Sequence, residues 1–99
     1  MDGQVGQLVT SRAGRDADQQ FLVIGYVGRR VLVADGKARP VQRPKQKNPR
    51  HLSFHDVWAK DVRVKLLANV SVSNADIRDA LEELQDGVRE VDRQCRDKT

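Results

Sequence analysis

Residues 21–36 read FLVIGYVGRRVLVADG. The first seven, Phe21 to Val27, are β-branched, aromatic or otherwise bulky apart from Gly25, the composition of a strand. Gly28-Arg29 follows at the two-residue spacing of a primed hairpin turn, and VLVA at 31–34 forms the return strand. Asp35-Gly36 marks a second hairpin, predicted to lead into a strand over 38–42. Pro40 lies in that strand and cannot donate to a ladder, so the strand is expected at a sheet edge or in a bulge. FLVIGYV is apolar on both faces: Phe21, Val23 and Val27 on one, Leu22, Ile24 and Tyr26 on the other. A barrel strand needs only its inner face apolar, so the outer face calls for a cover.

On the N-terminal side, Val5–Thr10 is a short extended run, followed by TSRAGRDADQQ, rich in turn formers around Gly14. Short strands with closely spaced turn signals point to a small barrel or sandwich. Past residue 56 the periodicity changes. Val57, Trp58, Val62, Leu66 and Val70 fall near helical spacing, predicting a short helix over about 57–68, with Trp58 packed between helix and barrel. In VSVSNADIRDALEELQDGVREVDRQC, Ser73 is positioned to cap a second helix, with Asp76 completing a capping box. Ile77, Leu81, Leu84, Val88, Val91 and Cys95 then make a stripe with seam-like spacing, interrupted only by Gly87. Its expected partner is the outer face of the 21–27 strand. The distal part, Val88–Cys95, is a candidate for pairing with another protein or a second copy. The reading is mainly β with C-terminal α: a small β-barrel over 1–55, then one short and one long helix over 56–99.

Ninety-nine residues suit one small domain. The single cysteine excludes an internal disulfide and a multi-cysteine zinc site. There is no apolar run of membrane-spanning length, and MDGQVGQLV lacks the features of a signal peptide, so the expectation is a cytoplasmic protein without a membrane partner. Net charge is +4, unevenly placed: residues 1–50 hold ten Lys/Arg against four acids, residues 51–99 eight against ten. A basic half of this kind favours a polyanionic partner, nucleic acid above all.

The basic charge concentrates in KARPVQRPKQKNPRH at 37–51, which has six Lys/Arg, all three prolines and no acid. Lys37, Arg39, Arg43, Lys45, Lys47 and Arg50 are spaced to follow a phosphate track, and His51 adds a further charge or a stacking ring. Arg12 and Arg15 flank Gly14 and are within reach of phosphates. Gly14 and Gly36 are the structural turn residues. Five such cations on single-stranded RNA give a log–log salt slope of roughly −3.5. A solvated Lys/Pro-rich linker is the competing reading of this stretch. Aromatic residues are not interleaved with the cations, which favours reading of shape and phosphates over base stacking.

GQLVTSRAGRDADQQFLVIGYVGRRVLVADG resembles a KOW motif, the strand–loop–strand element of SH3-like barrels in ribosomal proteins and transcription elongation factors. VADGKARPVQRPKQKNPRHL continues the resemblance, and NADIRDAL looks like the start of the family's C-terminal helix. The blocks together are most similar to short bacterial KOW-domain RNA-binding proteins and, more distantly, to KOW-type large-subunit ribosomal proteins of archaea and eukaryotes. The resemblance implies non-catalytic binding of structured, ribosomal RNA in translation, as part of a ribonucleoprotein. A protein–protein adaptor docking on the ribosome or RNA polymerase, through the barrel or the long helix, is the alternative, and a transcription-linked module is another. After AGRD, where the family continues with a basic residue and a glycine, this chain has Ala17-Asp18. That shifts the expected contact toward 37–51.

Catalytic and metal chemistry find little support. His51 and His55 stand four apart beside Asp56, a spacing that would pair two ligands on a helix, but no third ligand is near in sequence. Cys95 has no histidine partner and completes an apolar stripe. No phosphate-loop pattern occurs, and no cofactor or small-molecule substrate is expected.

Overall fold

The computed structural model describes residues 5–84. Five strands form one antiparallel sheet: β1 (Gln7–Ser11), β2 (Gln20–Val27), β3 (Arg30–Ala34), β4 (Lys45–Lys47) and β5 (Leu52–Trp58). Their order is β4-β3-β2-β1-β5. Helix α1 (Lys60–Leu67) follows, and a second helix, α2, occupies 74–84. The architecture is mainly β with C-terminal α. No ladder joins β4 to β5 among the described residues. A single 3-10 turn, Pro49–His51, nevertheless links these two edges, so the sheet curls into a barrel-like shape.

The β2–β3 hairpin forms as its sequence requires: Val27 pairs with Arg30 across Gly28-Arg29, and Gly28 has φ 58°. A bulge between Val23 and Gly25 alters the alternation. Phe21 and Val23 enter the inner cluster with Val9, Val31, Val33 and Leu52. Leu22 joins a second cluster with Leu8, Ala59, Val62, Ile77 and Leu81, against which Ile24 packs. Both faces of the strand are therefore buried over Phe21–Val23, where the helices supply the outer cover, while Tyr26 and Val27 at its end are exposed. Beyond the bulge Tyr26 pairs with Val31 and so lies on the inner row, not on the face of Leu22 expected from strict alternation.

Two elements differ from the sequence reading. The strand after Ala34 is Lys45–Lys47 and not 38–42, which are bends and turns. Asp35 causes the delay: its Oδ1 accepts from Lys37 N (2.8 Å) and Arg39 N (2.9 Å), which rounds the chain into a loop before it can pair. Pro40 then opens a turn closed by Arg43 N donating to its carbonyl at 3.0 Å. The second difference is β5. Val57 and Trp58 end this strand rather than starting a helix, so the strand also runs beyond residue 55. The free edge of β1 captures LSFHDVW, with Val9 opposite Phe54 and Gln7 opposite Trp58. Extra β5 residues bulge between those pairs, where Gln7 Nε2 donates to His55 O at 2.7 Å. Helix α1 starts only at Lys60 and buries Val62.

The capping box of α2 is formed in both directions, Asp76 N to Ser73 Oγ at 3.0 Å and Ser73 N to Asp76 Oδ2 at 3.1 Å. Ile77 and Leu81 are buried beneath it and Leu84 packs at its edge. Gly87, Val88, Val91 and Cys95, and with them the distal pairing surface, lie outside the described residues. No helix among the described residues is long and apolar enough to cross a membrane.

Candidate nucleic-acid interface

Residues that pair across an antiparallel ladder share a face. Val33 pairs with Lys45 and Val31 with Lys47, so both lysines project to the side of the buried valines, and Gln46 points the other way. A lysine there needs an anion and hydrogen-bond acceptors. Lys47, 7% exposed, donates to Ser11 Oγ at 2.9 Å and Ala13 O at 3.3 Å, with Asp16 Oδ2 at 3.6 Å. Lys45 donates to the same Asp16 oxygen. The Lys45 hydrogen bond, opposed by partial burial and helped by the charges of Lys45, Lys47 and Arg39, holds the Asp16 carboxyl below its usual pKa.

Asp16 reaches this position because of its loop. Gly14 turns the chain at φ 77° into a 3-10 turn over Gly14–Asp16, and Asp18 completes the loop at φ 70°. Asp18 N donates to Ser11 O at 2.8 Å and Gln19 N to Asp16 O at 2.9 Å. Asp18 thus adopts a left-handed backbone that residues other than glycine seldom take. Arg12 N donates to His51 O at 2.8 Å, fastening the loop to the turn that joins β4 to β5. That turn is itself capped: Asn48 Oδ1 accepts from Arg50 N at 3.0 Å, and Pro49 stands at its first position.

The nine sequence-predicted contact residues separate into three groups. Arg12, Arg15, Arg50 and His51 are exposed on the two fastened turns, with Arg39 half-buried nearby and its charge felt by Asp16. Arg12, Arg15, Arg39 and Arg50 make no ion pair with a described residue. Lys45 and Lys47 are internal partners of Asp16, and Lys47 in particular is buried away from any ligand. Lys37 and Arg43 are exposed on the 35–44 loop, which is docked on the start of α2. There Arg78 Nη1 donates to Gly36 O at 2.8 Å, and Val41 N donates to Asn74 Oδ1 at 2.7 Å. Asn74 Nδ2 also donates to Gln42 Oε1 at 3.0 Å. Gly36, at φ 76°, has room for no side chain, because a Cβ would stand 2.5 Å from Asn74 O.

Ser11, Asp16, Asn48, Asn74 and Arg78 organise this surface and were not legible as such. Asn74 and Arg78 sit in NADIRDAL, where the capping pattern points to Ser73 and Asp76 and not to them. The period of two in Lys45-Gln46-Lys47 was the available signal for Asp16, once that run is taken as a strand. His51 and His55 belong to a 3-10 turn and a strand, so their spacing is not helical. His55 Nε2 is 2.7 Å from Thr10 Oγ1. Among the described residues no group of three or more His, Cys, Asp or Glu is placed to hold a metal ion. No protein-family model matches this chain, and no curated protein is significantly similar to it.

Proposed function

We propose that this chain is a KOW-type SH3-like barrel that binds structured RNA, ribosomal RNA foremost, without catalysing a reaction, and works in the cytoplasm as part of a translation ribonucleoprotein. One observation carries the reading: Arg12, Arg15 and Arg50, without anionic partners among the described residues, stand with His51 on two turns fastened by the Arg12–His51 bond. Unpaired guanidinium groups carried on fastened backbone turns suit phosphates held in a folded RNA, where shape and backbone dominate recognition. Arg39 extends the corner. Lys45 and Lys47 support it from beneath by holding Asp16, and Lys37 and Arg43 lie on the neighbouring loop.

The test is a titration of purified ribosomal RNA with the wild-type protein and with Arg12→Glu/Arg15→Glu/Arg50→Glu. All three residues are exposed, so the variant keeps its fold, checked by circular dichroism. The expected result is a loss of at least about a hundredfold in affinity, and for the wild type a log–log salt slope near −3. Equal affinity of the two proteins rejects the reading.

A further inference from the structure

A second concave surface lies on the helical side of the molecule. A cleft of about 790 Å³ runs between the end of β5, α1 and α2. Its α2 wall is Asp76, Asp79, Ala80, Glu83 and Leu84, spaced as one continuous helix face. Trp58, Val62 and Val64 give it apolar surface from the other side. Val64 is 65% exposed. The Trp58 indole N–H is buried with no hydrogen-bond partner among the described residues, a group that native structures seldom leave unmatched.

The charge of the cleft is opposite to that of the protein. Four acids line it against Lys60 and Lys65, on a chain of net charge +4. Lys65 is already bonded to Asp76 at 3.1 Å, which leaves Asp61, Asp79 and Glu83 with Lys60 as the one other cation lining the cleft among the described residues. An apolar floor with an acidic rim between two helices fits helix-in-groove recognition. We propose that this cleft docks a cationic amphipathic helix of a protein partner, its aliphatic side chains on Trp58, Val64 and Leu84 and its Lys or Arg side chains on Asp79 and Glu83. The same peptide is repelled by the arginine corner, so charge directs it to this face. RNA is excluded from the cleft by the same acids. The two surfaces therefore bind different classes of partner, and this proposal stands independently of the RNA reading.

Trp58 is the only tryptophan in the chain, so its fluorescence reports on the cleft directly. The full-length protein is titrated with a synthetic helical Leu/Lys peptide and, as control, its Leu/Glu counterpart. The expected result is a saturable change in Trp58 emission with the Leu/Lys peptide alone. Asp79→Lys/Glu83→Lys, both at exposed positions, weakens that binding at least about tenfold and leaves affinity for ribosomal RNA no lower. Absence of a saturable change, or equal affinity in the double variant, overturns the proposal. A concentration-dependent shift in Trp58 emission without peptide, together with dimerisation in sedimentation equilibrium, assigns the cleft to a second copy and overturns it as well.

Discussion

Lys47 Nζ stands 3.6 Å from Asp16 Oδ2 with the two side chains 8% and 13% exposed, and this contact ties the edge strand β4 to the loop after β1. A buried ammonium is stable only while its acceptors and its counter-charge stay in place. Lys47 therefore belongs to the fold, although by composition it is one more member of a basic run. Lys47→Glu faces Asp16 with a second carboxylate and is expected to cost about 3 kcal/mol or more, read from urea denaturation. Arg50→Glu, on the exposed turn beside it, changes stability by no more than about 0.5 kcal/mol. Equal stability of the two variants would contradict the internal role of Lys47.

Acid stability follows from the same contact. Asp16 titrates below its ordinary value of 3.8 in the folded protein. Its stabilising contribution is then complete above the unfolded-state pKa and is lost as pH falls through the lower, folded value. The melting temperature is expected to hold steady from neutrality down to about pH 5 and to fall below about pH 4. Asp76, also lowered, by the Ser73 N–H and by Lys65, loses its capping bond in the same acid range. Asp16→Asn lowers stability near neutrality and flattens the acid-dependent part of the profile. A profile of unchanged shape in this variant would remove Asp16 from the account.

Gly36 and Gly14 have nearly the same backbone angle, φ 76° and 77°, but different surroundings. A Cβ on Gly36 meets the Asn74 carbonyl at 2.5 Å, and one on Gly14 meets nothing within 4 Å. Gly14→Ala should cost about 1 kcal/mol, the strain of a left-handed alanine. Gly36→Ala should cost at least about 2 kcal/mol more, because the 35–44 loop has to lift from α2. Hydrogen exchange at Val41, whose N–H is bonded to Asn74, is the local readout, and it accelerates only in the Gly36 variant.

Asp18 carries a left-handed backbone at φ 70° without being glycine. Asp18→Gly is expected to stabilise the protein by roughly 0.5–1 kcal/mol, relief of strain outweighing the added freedom of the unfolded chain. The change also removes an anion from the loop bearing Arg12 and Arg15. Under the RNA proposal affinity rises with it, and a fall in RNA affinity would count against that loop as a contact. Thermal denaturation and filter binding measure the two effects separately.

Local sequence determined those features whose cause is local. FLVIGYVGRRVLVA contains its own turn, so the β2–β3 hairpin follows from it. Its two apolar faces required a cover, and Ser73 with Asp76 set the start of the helix that provides part of it. Tertiary structure decided what depends on distant partners. LSFHDVW became a strand because the edge of β1 was open to it, although Val57 and Trp58 also fit a helical spacing. Asp35 and the Asn74 side chain kept 35–44 as a loop and moved the next strand to Lys45. Above all, the sequence presents six cations between 37 and 51 as one kind of residue. Pairing to β3 separates them, because a period of two turns Lys45 and Lys47 toward Asp16 while the capped turn leaves Arg50 in solvent. Charge is a property of a residue, but exposure is a property of its neighbours.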